Sequence, residues 1–131
     1  MAAVNLDGRV FGPVVAAGIG KPYLFLGEDP SISATPKSVL QAVAGGTPTG
    51  ETQVLTISGA GHMNFSDLGV MYKFPPNQLG LIGPIDGARA LTITRVYLET
   101  FFAAYLGDRS SQPRPVLPSP YPEVHVVAGF A

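Results

Sequence analysis

The hydrophobic and polar positions along the chain alternate between short apolar runs and longer helical stripes, separated by glycine and proline. "KPYLFLGEDP" holds the clearest strand: Tyr23 to Leu26 is continuously apolar, bounded by Pro22 and Gly27. A strand apolar on both faces belongs at the centre of a helix-covered sheet. A second run, "TQVLTIS", predicts another such strand, and a shorter one ends near Leu6. Between them, "GPVVAAG" allows a turn of helix. "TPKSVLQAVA" (35–44) predicts a helix, with Thr35 as cap, Pro36 at its first position and Gly45–Gly46 as its stop. A short helix beginning at Ser66 or Asp67 follows, then a loop rich in proline and glycine over 75–84.

The strongest helix is "IDGARALTITRVYLETFFAAYLG". Asp86 is its N-cap and Gly107 its stop, and Ala90, Ile93, Tyr97, Phe101 and Ala104 recur at helical spacing. Leu91, Leu98, Phe102 and Tyr105 widen the stripe, so the helix is expected to be covered over more than one face. Leu91, Leu98, Phe101 and Phe102 are expected to pack on the strands at 23–26 and 53–58. Residues 108–131 read as a proline-rich tail in which "EVHVV" is a short extended end. The order is βαβα, which predicts an α/β fold with parallel strands and covering helices. Two or three such strands make a thin sheet, so the chain reads as part of a larger α/β unit, a single partial domain over 1–131.

Composition narrows the function. Of the 131 residues, 46% are hydrophobic and 13% charged, which describes a chain with a buried core. A net charge of −1 without a basic cluster gives no footprint for nucleic acid. The absence of cysteine excludes thiol nucleophiles, disulfides and zinc–thiolate sites. No apolar run approaches the roughly 18 residues of a membrane span, and the first residues lack a signal-peptide pattern. The two histidines lie far apart among scattered carboxylates, so no metal ligand set is expected, and no phosphate-binding loop or other cofactor motif is present.

One histidine stands out by position. "SGAGHMNFSD" puts His62 where a predicted strand gives way to a loop of small residues, a place that holds a side chain without burying it. By residue type alone it is either an ordinary loop histidine or a proton-transfer group. Asp7, in "NLDG", is likewise either a turn residue or a strand-end acid, and Glu28 or Asp29 could serve as the acid instead. His125 reads as a surface or edge-strand residue, Asp67 as a helix-start carboxylate, and Arg89 and Arg95 as helix-face charges.

The order of the motifs adds to this reading. "NLDGRVFGPVVAAGIGKPYLFLGEDPS", "VLTISGAGHMNFSDL" and "IGPIDGARALTITRVYLETFFAAYLG" together resemble the C-terminal half of α/β-hydrolases of the platelet-activating-factor acetylhydrolase type, with the related bacterial lipases and esterases. The resemblance runs from about residue 4 to residue 124. It implies an incomplete α/β-hydrolase sheet and a Ser-Asp-His triad whose acid falls on Asp7 and whose base falls on His62. An imidazole would take the serine proton and return it to the leaving group, while the carboxylate fixes its tautomer.

The chain departs from that pattern at the nucleophile. None of its serines lies in a G-x-S-x-G elbow, and only six residues precede Asp7. The expectation is therefore a fragment of a carboxylic ester hydrolase supplying acid and base, inactive alone, acting on an ester or lipid-like substrate once joined by the missing N-terminal half or another chain. The resemblance implies no cofactor, and since bacterial relatives are often exported it leans toward an extracellular setting. The competing expectation is a non-catalytic remnant that binds a partner through its open sheet edge.

Overall fold

The computed structural model describes residues 1–32, 52–71, 81–106 and 120–128. The predicted helix over 35–44, residues 75–80 of the predicted loop over 75–84, Gly107 and residues 108–119 lie outside the described residues. Four strands form one sheet in the order β1 (Ala3–Leu6), β2 (Tyr23–Gly27), β3 (Thr52–Ile57) and β4 (Val124–Ala128). β1, β2 and β3 are parallel, with Leu6 opposite Leu26 and Leu26 opposite Leu55. β4 runs antiparallel to β3, with a register shift between Val54 and Leu55. The α/β fold expected from the sequence is present, with a mixed sheet because the short end at "EVHVV" pairs as β4.

Every residue of β2 and β3 is buried, as two covered faces require. Alternation divides them. Leu24, Leu26, Leu55 and Ile57 face one core with Ile93, Tyr97, Phe101 and Tyr105, while Tyr23, Phe25 and Val54 face the other side with Val10 and Ile19 packed on them. Burial of Tyr23 also pushes its phenol pKa up, opposed by a hydrogen bond with Asn5.

Three helices are described: α1 (Val14–Ala17), α2 (Leu68–Met71) and the long α3 (Gly87–Leu106). α3 starts where the sequence predicts, because the Asp86 carboxylate accepts the Arg89 amide at 2.8 Å and so caps an otherwise orphaned N–H. Its packing face differs from the expected one. Phe101 is buried and Phe102 packs beside it half-buried, but Leu91 and Leu98 are only half-buried and stand outside the core cluster. The line on the sheet runs through Ala90, Ile93, Thr94, Tyr97, Phe101 and Tyr105. Leu91 and Leu98 sit seven residues apart on its flank, one position on from Ala90 and Tyr97.

The last strand is fastened to α3. Arg89 donates Nε and Nη2 to the two carboxylate oxygens of Glu123 at 3.0 and 3.1 Å, and its guanidinium stacks 4.6 Å from the centre of the Tyr121 ring. The pair holds the Glu123 carboxyl below its ordinary range. Arg89 is thus more than the helix-face charge its sequence position predicts, whereas Arg95, as predicted, is an exposed helix-face charge, paired with Glu99 one turn along. Among the described residues no helix is long and apolar enough to cross a membrane.

Candidate active site

The parallel strands β1, β2 and β3 all end at one edge of the sheet, and the polar groups expected to do chemistry collect there. Ligand sites of open α/β sheets lie at the carboxyl ends of their strands. Asp7 follows β1 directly. Its amide donates to the Leu26 carbonyl at 2.9 Å, which extends the β1–β2 ladder by one rung. Its φ is +53°, a left-handed conformation that aspartate tolerates better than most residues. Oδ1 accepts the backbone N–H of Glu28, just past β2, at 2.9 Å.

The other carboxylate oxygen meets His62. Nδ1 lies 2.7 Å from Asp7 Oδ2, across 55 residues of sequence. The Asp7 side chain is 4% exposed and the His62 side chain 47% exposed. A carboxylate only accepts, so Nδ1 is the donor, and a neutral ring keeps its lone pair on Nε2. A buried carboxylate without partners would be costly, and here two N–H groups satisfy it. Such a pairing commits one imidazole nitrogen to an acid, and a ring held this way can do acid–base chemistry through the other.

The loop that carries His62 is laced to its surroundings. His62 opens a 3-10 turn, His62–Phe65, that follows β3 after Ser58–Gly61. The Met63 amide donates to the Leu81 carbonyl at 2.8 Å and the Ile85 amide to the Gly59 carbonyl at 3.0 Å. Asn64, fully buried, accepts the amides of Gly61 and Gly83 on its Oδ1 at 2.8 and 2.7 Å. Gly61 and Gly83 approach so closely that a Cβ built on Gly61 would stand 2.7 Å from the Leu81 carbonyl oxygen and 2.8 Å from the Gly83 amide. Nothing in "HMNF" distinguishes Asn64 by type from an ordinary loop asparagine. The usable signal is the small residues flanking it, which let two backbones close on a side-chain acceptor.

Asp29, the alternative acid, is engaged elsewhere. Its Oδ2 accepts the Gly59 amide at 2.7 Å, and its Oδ1 accepts the Ser31 amide and hydroxyl at 2.8 and 2.7 Å. The Gly59 bond first, then the Ser31 amide and hydroxyl with the nearby His125, hold its pKa below the ordinary value. It anchors the histidine loop without touching the ring. His125 is exposed on β4, as expected, with Nε2 2.8 Å from the Ser58 hydroxyl. Asp67 precedes α2 and accepts the Met71 amide with its backbone carbonyl at 2.9 Å. Ser66 donates its hydroxyl to the Met63 carbonyl at 2.8 Å. Ser33, Ser38, Ser110, Ser111 and Ser119 lie outside the described residues.

Among the described residues no group of three or more His, Cys, Asp or Glu side chains could hold a metal ion. An open groove of about 410 Å³ runs along β1, lined by Val4, Leu6, Arg9, Phe11 and Tyr23 among others, and does not include His62 or Asp7.

With this geometry in place, comparison with solved structures is decisive for the fold. A ferulic acid esterase from Streptomyces cinnamoneus matches with a TM-score of 0.70 and 32% sequence identity over 95% of this chain. The fold is esterase-like. The chain spans 39% of that esterase's length. No protein-family model matches the chain, and no curated protein matches it.

Proposed function

We propose that this chain supplies the general base and the acid of a serine-type carboxylic ester hydrolase, with His62 as base and Asp7 as the group that orients it. The observation that carries the reading is the 2.7 Å contact between His62 Nδ1 and Asp7 Oδ2 at the carboxyl ends of parallel strands. In the reaction Nε2 takes the proton of a seryl hydroxyl as it attacks the ester carbonyl. The imidazolium, steadied by Asp7, then protonates the departing alkoxide; water hydrolyses the acyl-enzyme through the same two transfers.

The nucleophile and oxyanion hole belong, in this reading, to a G-x-S-x-G segment on further polypeptide, either upstream or on a partner chain. Two observations support that. β1 is the edge of the sheet with the open groove beside it, and the matched esterase extends well beyond the shared region. The substrate class is a carboxylic ester. The finer assignment to the platelet-activating-factor acetylhydrolase type, with lipid-like esters, rests on the motif order around Asp7, His62 and Asp86. A second reading, a non-catalytic module that binds a partner along β1, is favoured by the same exposed edge.

The test is co-expression or fusion with a G-x-S-x-G-bearing N-terminal half of an α/β-hydrolase, assayed on a chromogenic short-chain ester. The chain alone should stay near the background rate. The pair should hydrolyse the ester, lose that activity with His62→Ala, and fall by about 10⁴-fold with Asp7→Asn, the scale seen when a triad acid is neutralised. Activity that survives His62→Ala, or stoichiometric labelling of the isolated chain by a serine-directed phosphonate with turnover, overturns the assignment.

A further inference from the structure

We propose that Asn64 is the positioning residue of this site: its carboxamide oxygen, shared between the Gly61 and Gly83 amides, sets the His62 ring on Asp7. The bearing on catalysis rests on the ester-hydrolase reading, but the bearing on the His62–Asp7 contact does not.

The need for such a residue follows from exposure. The His62 side chain is 47% exposed, so packing does not fix its ring, and among the described residues its side-chain hydrogen bond goes to Asp7. The ring can meet that carboxylate only if the backbone of His62 is held in place. Both flanking amides are held: Met63 N–H by the Leu81 carbonyl, and Gly61 N–H by Asn64 Oδ1. The same Oδ1 takes the Gly83 N–H, so one oxygen with two lone pairs joins the histidine loop to the segment leading into α3.

The orientation of the carboxamide is determined by these partners. Turned over, its NH₂ would face two N–H donors. The residue is also 0% exposed, an unusual place for asparagine unless its oxygen is used. A leucine of similar size would fill the space and leave two buried amides without an acceptor. A serine is one bond shorter and cannot hold both.

The experiment is NMR on the full chain, following the low-field Nδ1–H proton of His62 and the ¹⁵N tautomer pattern of its ring, assigned by their loss in Asp7→Asn. The parent should show the Nδ1–H tautomer with its low-field proton. Asn64→Leu, with core methyl shifts and circular dichroism of the parent, should lose that proton and show the mixed tautomers of a free imidazole. Asn64→Ser should weaken the signal and lower Gly83 amide protection by about tenfold or more. A purely structural Asn64 would lower stability and leave the ring signature of the folded variant unchanged; that result overturns the proposal.

If Asn64→Leu does not fold, native-state hydrogen exchange of the parent decides. Gly61 N–H, Gly83 N–H and His62 Nδ1–H should exchange through one common opening. Protection that differs among the three by more than about tenfold overturns the proposal. The outcomes are separable from the enzymatic reading: absent ester hydrolysis in the co-expressed pair would remove the catalytic role and leave the ring signature as measured.

Discussion

Phe101→Ala tests whether α3 holds the sheet in the phase described here. The ring is 1% exposed and sits among Leu24, Leu26, Ile57, Ile93 and Tyr97. Removing it forfeits about 1.5–3 kcal/mol of transfer free energy. A residual cavity of roughly 100 Å³ adds up to ~2.4 kcal/mol at about 24 cal/mol per Å³ if the site does not collapse. Two aromatic neighbours are lost as well: Tyr105, with centroids 4.8 Å apart and planes at 51°, and Phe102 at 5.6 Å and 69°. The expected cost therefore lies in the upper part of the range of about 3–5 kcal/mol for buried Phe→Ala. Against a domain stability on the order of 5–15 kcal/mol, that is a large fraction. With a urea m-value of about 2 kcal/mol per M, the midpoint should fall by roughly 2 M at constant m. Leu98→Ala, on the half-buried flank, is the control and should cost about 1 kcal/mol. A Phe101→Ala midpoint within about 0.5 M of the parent, or equal losses from the two variants, would refute the assigned helix phase.

Two further outcomes follow from the strand-end carboxylates. Asp7→Ala should be less stable than Asp7→Asn by about 1–2 kcal/mol in urea titration, because alanine is strained at φ +53° and removes the acceptor of the Glu28 amide; equal midpoints would contradict the left-handed conformation. Asp29 has its pKa lowered in the folded chain from the ordinary 3.8, so its contribution to stability is full above that value and is lost as pH falls through the lowered one. Between the two the unfolded state binds more protons, and stability should rise with pH. Acid titrations of the parent and Asp29→Asn should therefore keep their full separation above the ordinary value and converge as pH falls from it through the lowered one, and parallel curves would show that Asp29 is not engaged with Gly59 and Ser31.

The parts of the fold legible in the sequence are those whose physics is local. β2 announces itself by the continuous apolar run that burial on both faces favours, β3 by Val54, Leu55 and Ile57, and α3 because Asp86 caps its start. Its phase was not legible, since apolar residues surround much of the helix. The buried line includes Gly87 and Thr94, whose hydroxyl is satisfied by the Ala90 carbonyl at 2.9 Å and so needs no water. A polar residue that answers its own hydrogen bond can sit on the core line while Leu91 and Leu98 stand beside it. In the sequence β4 shows only as an extended end because its pairing with β3 is a long-range event. Its sequence lacks clean alternation: Val124 is buried, but both His125 and Val126 are exposed.

The candidate site divides along the same boundary. His62 and Asp7 could be picked out because each follows a strand end, and parallel strands bring such ends to one edge whatever the loop between them does. Choosing Asp7 over Asp29 could not be done on that ground, since Asp29 also follows a strand end. What separates them is which donors each carboxylate meets. Asp7 has one oxygen on the Glu28 amide and one free for the imidazole, whereas Asp29 spends both oxygens on Gly59 and Ser31. That allocation is set by backbone amides, which no side-chain pattern encodes. Asn64 is the extreme case: it looks like a loop residue by type, yet it is buried because two glycine backbones converge on its oxygen. The two residues of the Asp7–His62 contact are thus legible as side chains, but the loops that carry them are tied by main-chain donors to Asp29 and Asn64, and those become visible only once the strands have been brought together.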